Sequence, residues 1–430
     1  MKLLMLSQFY PPVIGGEERH VRTLSRELVR RGHEVHVGTL GVNGLPEHEL
    51  EDGISIHRLR GWAQRLPFLF SDSSRRQSPP FPDPGLIPQL KELVDKIAPD
   101  CVHAHNWMGA SYLPLRVKRA PFVWTLHDYS LLCATKRMMY KDESQCPGPS
   151  AKRCIECCAH HYGPAVGLFT LLGNAAMVRS RLNHVDYFIS VSRAVAISNG
   201  LWHQPRATVI SNFVPPLEEL KLAESAHTMD IPPRYILYVG DLSRDKGVHI
   251  LIEAYRSLRD NGVKLVAMGR PADAVPEADD NITVLNGVPH AEAMWAMQHA
   301  DIVVAPSVWP DPCPTVVLEA MTLGKPVITT RTGGMVDLIR HGDTGLLIEP
   351  GRKQELVDAL TLLLHDEPLR RKLGTNATVA ARAFSVTATV DAIERVYESV
   401  LSWRRRGPLR RRLSEEQEPP IPVGGDGSDP

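Results

Sequence analysis

The chain has 430 residues, 43% of them hydrophobic and 23% charged, with 31 Gly and 35 Pro. This composition excludes a collagenous, disulfide-framework or wholly disordered protein. Forty-nine Lys and Arg balance 49 Asp and Glu, so a protein-wide electrostatic hold on nucleic acid is disfavoured and a small-molecule or local-surface partner is expected. No run approaches the roughly 20 apolar residues that span a bilayer, and Leu3-Leu4-Met5-Leu6 is too short for a signal-peptide core, which points to a cytoplasmic protein. The length predicts two domains.

The first forty residues read as strand, loop, helix, strand. Apolar runs at Lys2 to Leu6 and Val35 to Leu40 bracket a segment in which Val21, Leu24 and Leu28 share one helical face, with Gly32 as its stop. Further buried strands are expected at Ile54 to Leu59, Cys101 to Ala104, Phe122 to Leu126 and Tyr187 to Val191, with a helix at Leu86 to Ile97. Alternation of this kind predicts a parallel sheet covered by helices. Residues Ser71 to Pro84, rich in Ser, Pro and Arg, are expected to be a mobile loop. The pattern breaks at Pro215-Pro216 and Pro232-Pro233, which marks an interdomain linker. A second alternating series follows, with strands at Tyr235 to Val239, Lys264 to Met268, Ile282 to Leu285, Ile302 to Ala305 and Pro326 to Thr330 and helices at Lys246 to Arg259 and His290 to Gln298. The end of the chain, with Arg404, Arg405, Arg406, Arg410, Arg411 and Arg412 followed by an acidic, Pro- and Gly-rich stretch, reads as a disordered tail.

Several of these loops carry chemistry. Gly15-Gly16 stands between the first strand and helix, where free N–H groups and the helix dipole favour a phosphate; an ordinary turn needing positive φ is the competing reading. His105 and His127 close two predicted strands, at the sheet edge where open α/β folds bind ligands. In the second series, Gly240 to Gly247 follows a strand and opens a helix, and Arg244 and Lys246 bring cations to that edge. After Ile302 to Ala305 comes a Pro-rich loop with Asp311, then a helical segment with Thr315, Val316 and Glu319. This spacing can hold a phosphate on the helix N-terminus while two carboxylates accept bonds from sugar hydroxyls. Gly333-Gly334 makes a further turn.

Cysteines cluster: Cys133, Cys146, Cys154, Cys157 and Cys158, five of seven, fall within 26 residues. In a reducing compartment this suggests metal before disulfide, and Cys133, Cys146, Cys154 and Cys157 could form a tetrahedral structural zinc site. Free thiols, disulfides and an iron–sulfur cluster are the alternatives. The Arg-rich tail, Arg404 to Arg412, has the charge to touch an anionic membrane surface, against a merely solvated end.

Taken together, Gly15 to Val21, Thr125-Leu126-His127-Asp128, Gly240 to Gly247, Asp311 to Gly324 with Leu318-Glu319-Ala320-Met321, Thr332-Gly333-Gly334 and Gly342 to Gly345 resemble the retaining GT-B glycosyltransferases of family 4. The resemblance covers nearly the whole chain to about residue 400. It implies an α/β protein of GT-B architecture, with two Rossmann-like domains facing across a cleft. Residues 1–213 would form an acceptor-side domain with a Cys-rich insertion at 133–158, completed by a C-terminal helix at 386–403. Residues 214–385 would bind the nucleotide-sugar, and 404–430 would be the tail.

By position, Glu319 matches the acid that holds the nucleotide ribose, and Asp311 the other acid of the family's E-x7-E motif, here one methylene shorter. His127 matches the active-site histidine and Lys246 the diphosphate-binding lysine. Asp241 stands where many members have a phosphate-binding arginine, and Arg244 is the nearest substitute. The implied activity is a retaining, NDP-sugar-dependent hexosyltransferase, with His127 and Asp311 stabilising charge. Gly15, Gly16, Arg244, Lys246, Thr315, Val316 and Glu319 would bind the donor, and His105 would face the acceptor. No catalytic cofactor and no nucleic acid are implied. The acceptor would be a saccharide or lipid-linked sugar in envelope polysaccharide or glycolipid synthesis, reached by a cytoplasmic enzyme peripheral to the inner membrane face. A GT-B-like scaffold without turnover, a nicotinamide-dependent oxidoreductase and an epimerase of the same architecture are the competing readings; the missing G-x-G-x-x-G weighs against the oxidoreductase.

Overall fold

The computed structural model describes residues 1–13, 15–65, 77–115, 120–215, 229, 231–258 and 262–406, with side chains as far as Trp403. Of the expected mobile loop, residues 71–76 lie outside the described residues, as do most of the linker after Pro215 and the tail beyond Arg406; Arg404 to Arg406, expected in the tail, extend the C-terminal helix instead. The chain divides into two units. One comprises Met1–Lys141, Cys146–Ser211 and the segment from Thr389 onward; the other comprises Asp142–Gln145 and Asn212–Ala388.

The first unit is built on β1 (Lys2–Leu6), β2 (Glu34–Leu40), β3 (His48–Glu51), β4 (Ile54–Leu59), β5 (Cys101–Ala104) and β6 (Phe122–Leu126). A short hairpin, β7 (Met139–Tyr140) and β8 (Ser144–Gln145), precedes β9 (Tyr187–Ser190) and β10 (Ala207–Val209). The main sheet runs β10-β9-β6-β5-β1-β2-β4-β3, with every pair parallel except β3 against β4. Leu3 to Leu6 are all essentially inaccessible, as a strand covered on both faces requires. Helices α1 (Gly16–Arg30) and α2 (Leu86–Ile97) bury Val21, Leu24 and Leu28 and Leu86, Leu90 and Leu93 respectively. Helices α3 (Ala151–Tyr162), α4 (Pro164–His184) and α5 (Arg193–Ser198) follow.

The C-terminal helix, Val386–Arg406, returns to this unit and buries Val390, Ile393, Val396, Tyr397 and Val400, an i, i+3, i+4 stripe. It is fixed by Arg31, which bonds Asp391 and Glu394 at 2.5 Å each, and by His33 to Glu394 at 2.7 Å. Tyr397 reaches the sheet, its hydroxyl 2.6 Å from His103 Nδ1.

The expected mobile loop needs correction in its described part. Asp83 is buried, and its carboxylate accepts from the N–H groups of Trp62, Ala63 and Gly85 at 2.7–3.0 Å. The buried Arg181 donates to Pro80 O and to Asn174. Pro- and Ser-rich composition marks irregular backbone, not missing partners; here side chains hold a non-repetitive segment.

The second unit has a fully parallel six-stranded sheet. Its strands are β11 (Tyr235–Val239), β12 (Lys264–Met268), β13 (Ile282–Leu285), β14 (Ile302–Ala305), β15 (Val327–Thr330) and β16 (Leu346–Ile348), in the order β13-β12-β11-β14-β15-β16. Helices α6 (Val248–Ser257), α7 (His290–His299), α8 (Thr315–Thr322), α9 (Met335–Leu338), α10 (Lys353–His365) and α11 (Glu367–Ala381) cover it. Ile236, Tyr238, Leu251, Leu265, Val304 and Leu360 belong to one buried cluster. Each sheet reverses its strand order once, between β1 and β5 in the first unit and between β11 and β14 in the second. Such a switch point opens a crevice beyond the carboxyl ends of the strands, where ligands bind.

Candidate active site

In the first unit the polar residues gather at the β1/β5 switch point. Gly15 caps α1 in an extended conformation, φ −168°, and Gly16 opens the helix; a Cβ on Gly16 would meet nothing within 4 Å. The positive φ expected of an ordinary turn is thus absent at Gly15, and the backbone here faces open space. Asn106, just after β5, accepts the Gln8 N–H at 3.1 Å and donates through Nδ2 to Glu17 in the first turn of α1. Burial, with Glu18 and Asp128 nearby, holds the Glu17 carboxyl well above the usual range.

His105 and His127, at the ends of β5 and β6, lie together: His105 Nδ1 is 3.1 Å from His127 Nε2. Two residues that the sequence reading did not select join them. His20 projects from the buried face of α1, its ring 4.9 Å from that of His127 and 5.9 Å from that of His105. His103, one pleat back along β5, stacks on His105 at 4.2 Å and is satisfied on both nitrogens, by Tyr397 and by Thr125 at 2.7 Å. Burial lowers the basicity of His20, His103 and His105, with mutual repulsion adding to it, and takes His103 down to about 3. His20, His103 and His105 are therefore neutral near pH 7. One ring nitrogen from each of His20, His105 and His127 falls within 4.8 Å of the others, close enough to share a metal ion. The signal for His20 was a histidine within the apolar stripe Val21, Leu24, Leu28 of an otherwise ordinary amphipathic helix.

In the second unit the site is built on glycines that allow close backbone approach. Gly247 (φ 76°) caps α6, and a Cβ there would lie 1.9 Å from Pro306 O; one on Gly333 (φ 56°) would lie 2.3 Å from Asp311 O. The Gly333-Gly334 turn thus grips the Asp311 backbone, the Gly334 N–H donating to Asp311 O at 2.7 Å. Lys246 and Asp311 are brought together by these contacts: Nζ lies 2.5 Å from Oδ2 and 4.4 Å from the centre of the Trp309 ring. Lys246 is therefore an ion-paired cation.

Asp311 precedes α8, whose first turn contains Thr315 and Val316 with Pro314 as cap. Pro314 O accepts the Val317 N–H, and the N–H groups of Thr315 and Val316 are at the positions where an α-helix has no partner within itself. Glu319, one turn further and buried, has Oε1 2.9 Å from His290 Nε2. Arg244 is exposed, and its backbone N–H donates to Asp273 at 2.9 Å. Asp241 is clasped by Arg270, Nε and Nη2 at 2.9 and 3.0 Å. Arg270, at the end of the neighbouring strand, was not visible as a candidate because only strand pairing sets it beside Asp241.

The cysteine segment folds around a cavity lined by Cys133, Cys146, Cys154, Cys157 and Cys158. None of the seven cysteines is in a disulfide. Burial beside Cys157, Cys133 and Cys154 pushes the Cys158 thiol up to about 12. No helix among the described residues is long and apolar enough to cross a membrane.

The sequence profile described as Glycosyl transferases group 1 matches residues 224–379, and that described as Glycosyltransferase Family 4 matches residues 14–216. A D-inositol 3-phosphate glycosyltransferase of Corynebacterium glutamicum is 26% identical over 429 residues, covering 94% of this chain and 97% of that protein. An uncharacterized glycosyltransferase of Methanocaldococcus jannaschii is 26% identical over 411 residues, covering 88% and 92%. Among solved structures, sucrose-phosphate synthase from Thermosynechococcus elongatus superposes with a TM-score of 0.68 at 19% identity, over 93% of this chain and 99% of that one. Anabaena HepE in complex with UDP and glucose gives 0.66 at 20% identity, over 93% and 100%. The fold is the GT-B architecture of two Rossmann-like domains.

Proposed function

The chain belongs to the group 1, family 4 glycosyltransferases and depends on a nucleotide-sugar; from that premise we propose that it transfers a hexosyl group with retention of configuration. The observation that supports this reading is the Lys246–Asp311 pair, held beside the first turn of α8 at the β11/β14 switch point. In the reaction the bond from the anomeric carbon to the diphosphate oxygen breaks, and the electron pair stays on the diphosphate. The acceptor oxygen bonds to the same carbon, and its proton passes to the departing phosphate oxygen. Charge develops on the diphosphate, so preorganised donors there lower the barrier most.

We assign that role to Lys246 and to the N–H groups of Thr315 and Val316, with Arg270, oriented by Asp241, preferred over Arg244 as the guanidinium. Arrival of the diphosphate gives Lys246 a second anionic partner and releases Asp311 toward sugar hydroxyls. Glu319, oriented by His290, accepts from the ribose hydroxyls. On the first unit, His127 with the neutral His105 behind it positions the reacting groups, and the open backbone at Gly15 and Gly16 admits the donor's phosphate edge. We further propose a saccharide or lipid-linked acceptor of envelope polysaccharide or glycolipid synthesis, with Arg404 to Arg412 touching the inner membrane face; the run of arginines supports it.

The test is a thermal-shift and turnover screen of the full chain against UDP-, GDP- and ADP-sugars, starting with UDP-glucose. One nucleotide-sugar is expected to stabilise the protein by mass action and to be slowly hydrolysed, with the hydrolysis lost in Lys246→Ala and the shift weakened more in Arg270→Ala than in Arg244→Ala. A stabilising nicotinamide cofactor, with no response to any nucleotide-sugar, would refute the reading. Retention is read from the anomeric configuration of the product. Binding to anionic phosphatidylglycerol vesicles that survives replacement of Arg410, Arg411 and Arg412 by Ala would remove the membrane proposal.

A further inference from the structure

We propose that Cys133, Cys146, Cys154 and Cys157 coordinate a structural zinc ion within the first unit. Three independent features of the segment lead there. The first is placement: cysteines from the loop after β6, from the residue after β8 and from α3 line one cavity. Cys154 and Cys157 are three apart on α3 and share a face, the C-x2-C half of a four-thiolate site.

The second is the backbone. Of the seven non-glycine residues with positive φ among the described residues, four crowd into 136–142: Lys136 (66°), Met138 (51°), Lys141 (52°) and Asp142 (61°). Each such residue costs free energy and persists only where its surroundings over-determine it. The strands available are two residues each, too short to do so. A metal that ties the two ends of this stretch to α3 supplies the missing constraint.

The third is the state of the sulfurs. None of these cysteines is paired as a disulfide. Cys154 is in the first turn of α3, where its sulfur accepts the Ser150 N–H at 3.4 Å. Cys157 spends its proton on Met139 O at 3.2 Å, and Cys146 on Gly148 O at 3.4 Å. These protons leave when the sulfurs bind metal.

Zinc with sulfur at about 2.3 Å needs its four sulfurs about 3.8 Å apart. Among the described residues no three of these sulfurs lie within 4.8 Å of one another, so zinc binding would have to draw them inward. Cys158 is left out of the set: its backbone abuts Gly167 of α4, where even a Cβ would be 2.3 Å from the Cys158 carbonyl oxygen. That contact anchors its turn of α3 to the neighbouring helix.

The experiment uses the full chain, purified without an affinity metal. Elemental analysis is expected to find about one zinc per chain, with four of the seven thiols protected from a thiol reagent until a chelator is added. Cys146→Ser and Cys154→Ser should each lose the zinc, and Cys158→Ala should keep it. As a readout independent of variant folding, chelator-stripped wild type titrated with cobalt should develop the strong visible bands and near-ultraviolet charge transfer of a tetrahedral tetrathiolate. Absence of zinc with no cobalt spectrum overturns the proposal, as does an iron–sulfur chromophore in the purified protein. Loss of zinc in Cys158→Ala overturns the ligand set. Nucleotide-sugar binding is measured alongside, so failure of the zinc site is separable from failure of the transferase reading.

Discussion

His103 gives the sharpest quantitative test of the histidine column. It is buried between Tyr397 and Thr125 and neutral when folded, its basicity lowered from 6.5 to about 3, chiefly by burial and then by His127. The unfolded chain binds a proton there below about pH 6.5 and the folded chain does not until about pH 3, so stability is lost as pH falls through that window. Between pH 7 and pH 5 the difference integrates to about 2 kcal/mol for this residue alone. For a unit of this size that is roughly 4–8 °C in melting temperature. The perturbation is His103→Gln, which keeps an amide to meet the two hydroxyls but cannot titrate. Scanning calorimetry at pH 7 and pH 5 on both proteins gives the double difference, in which acid effects elsewhere cancel. The variant is expected to be less stable at pH 7 and to lose several degrees fewer on acidification. An equal loss in both proteins would refute the argument that the column must stay uncharged.

Three further outcomes follow from the second unit. Lys246→Ala is expected to lower turnover by about 10²–10³-fold, as removal of a preorganised charge donor does, with KM changed much less; steady-state kinetics on the donor found by screening checks this. Glu319→Gln should weaken nucleotide binding by about tenfold or more through a lost charge-assisted bond, read by calorimetric titration, while His290→Ala should weaken it less. Gly333→Ala places a methyl 2.3 Å from Asp311 O at a left-handed φ, so it should cost turnover and stability together, and unchanged kinetics would show that the turn does not position Asp311.

The strands were legible because buried parallel strands are continuous apolar runs: Cys101–Ala104, Phe122–Leu126 and Lys264–Met268 have the same limits in sequence and structure. The antiparallel β3, HELE, was not, since an edge strand half in water carries no apolar run. Lys246, Asp311 and Glu319 stood out through their spacing from glycines and a helix start. The partners of Asp241 and Glu319 did not: Arg270 and His290 reach them through strand and helix placement, at separations of 29 residues each. The mobile loop was misread at Asp83 because a single buried carboxylate can hold a turn that composition alone marks as free. His103 looked like any strand residue, for its partner Tyr397 is 294 residues away.

That separation bears on how the polypeptide acquires its structure during synthesis. The sheet of the first unit is translated early, but the helix that covers Val390 to Val400 and satisfies His103 emerges from the ribosome last, after the whole of the other unit. Domains otherwise tend to fold in the order in which they are made. Here the later-made unit can reach its native state first, while the earlier one waits with the Tyr397 docking face uncovered. A stop codon near residue 388 would then leave a folded second unit tethered to an incomplete first one, a product more prone to aggregation and proteolysis than its small loss of length suggests.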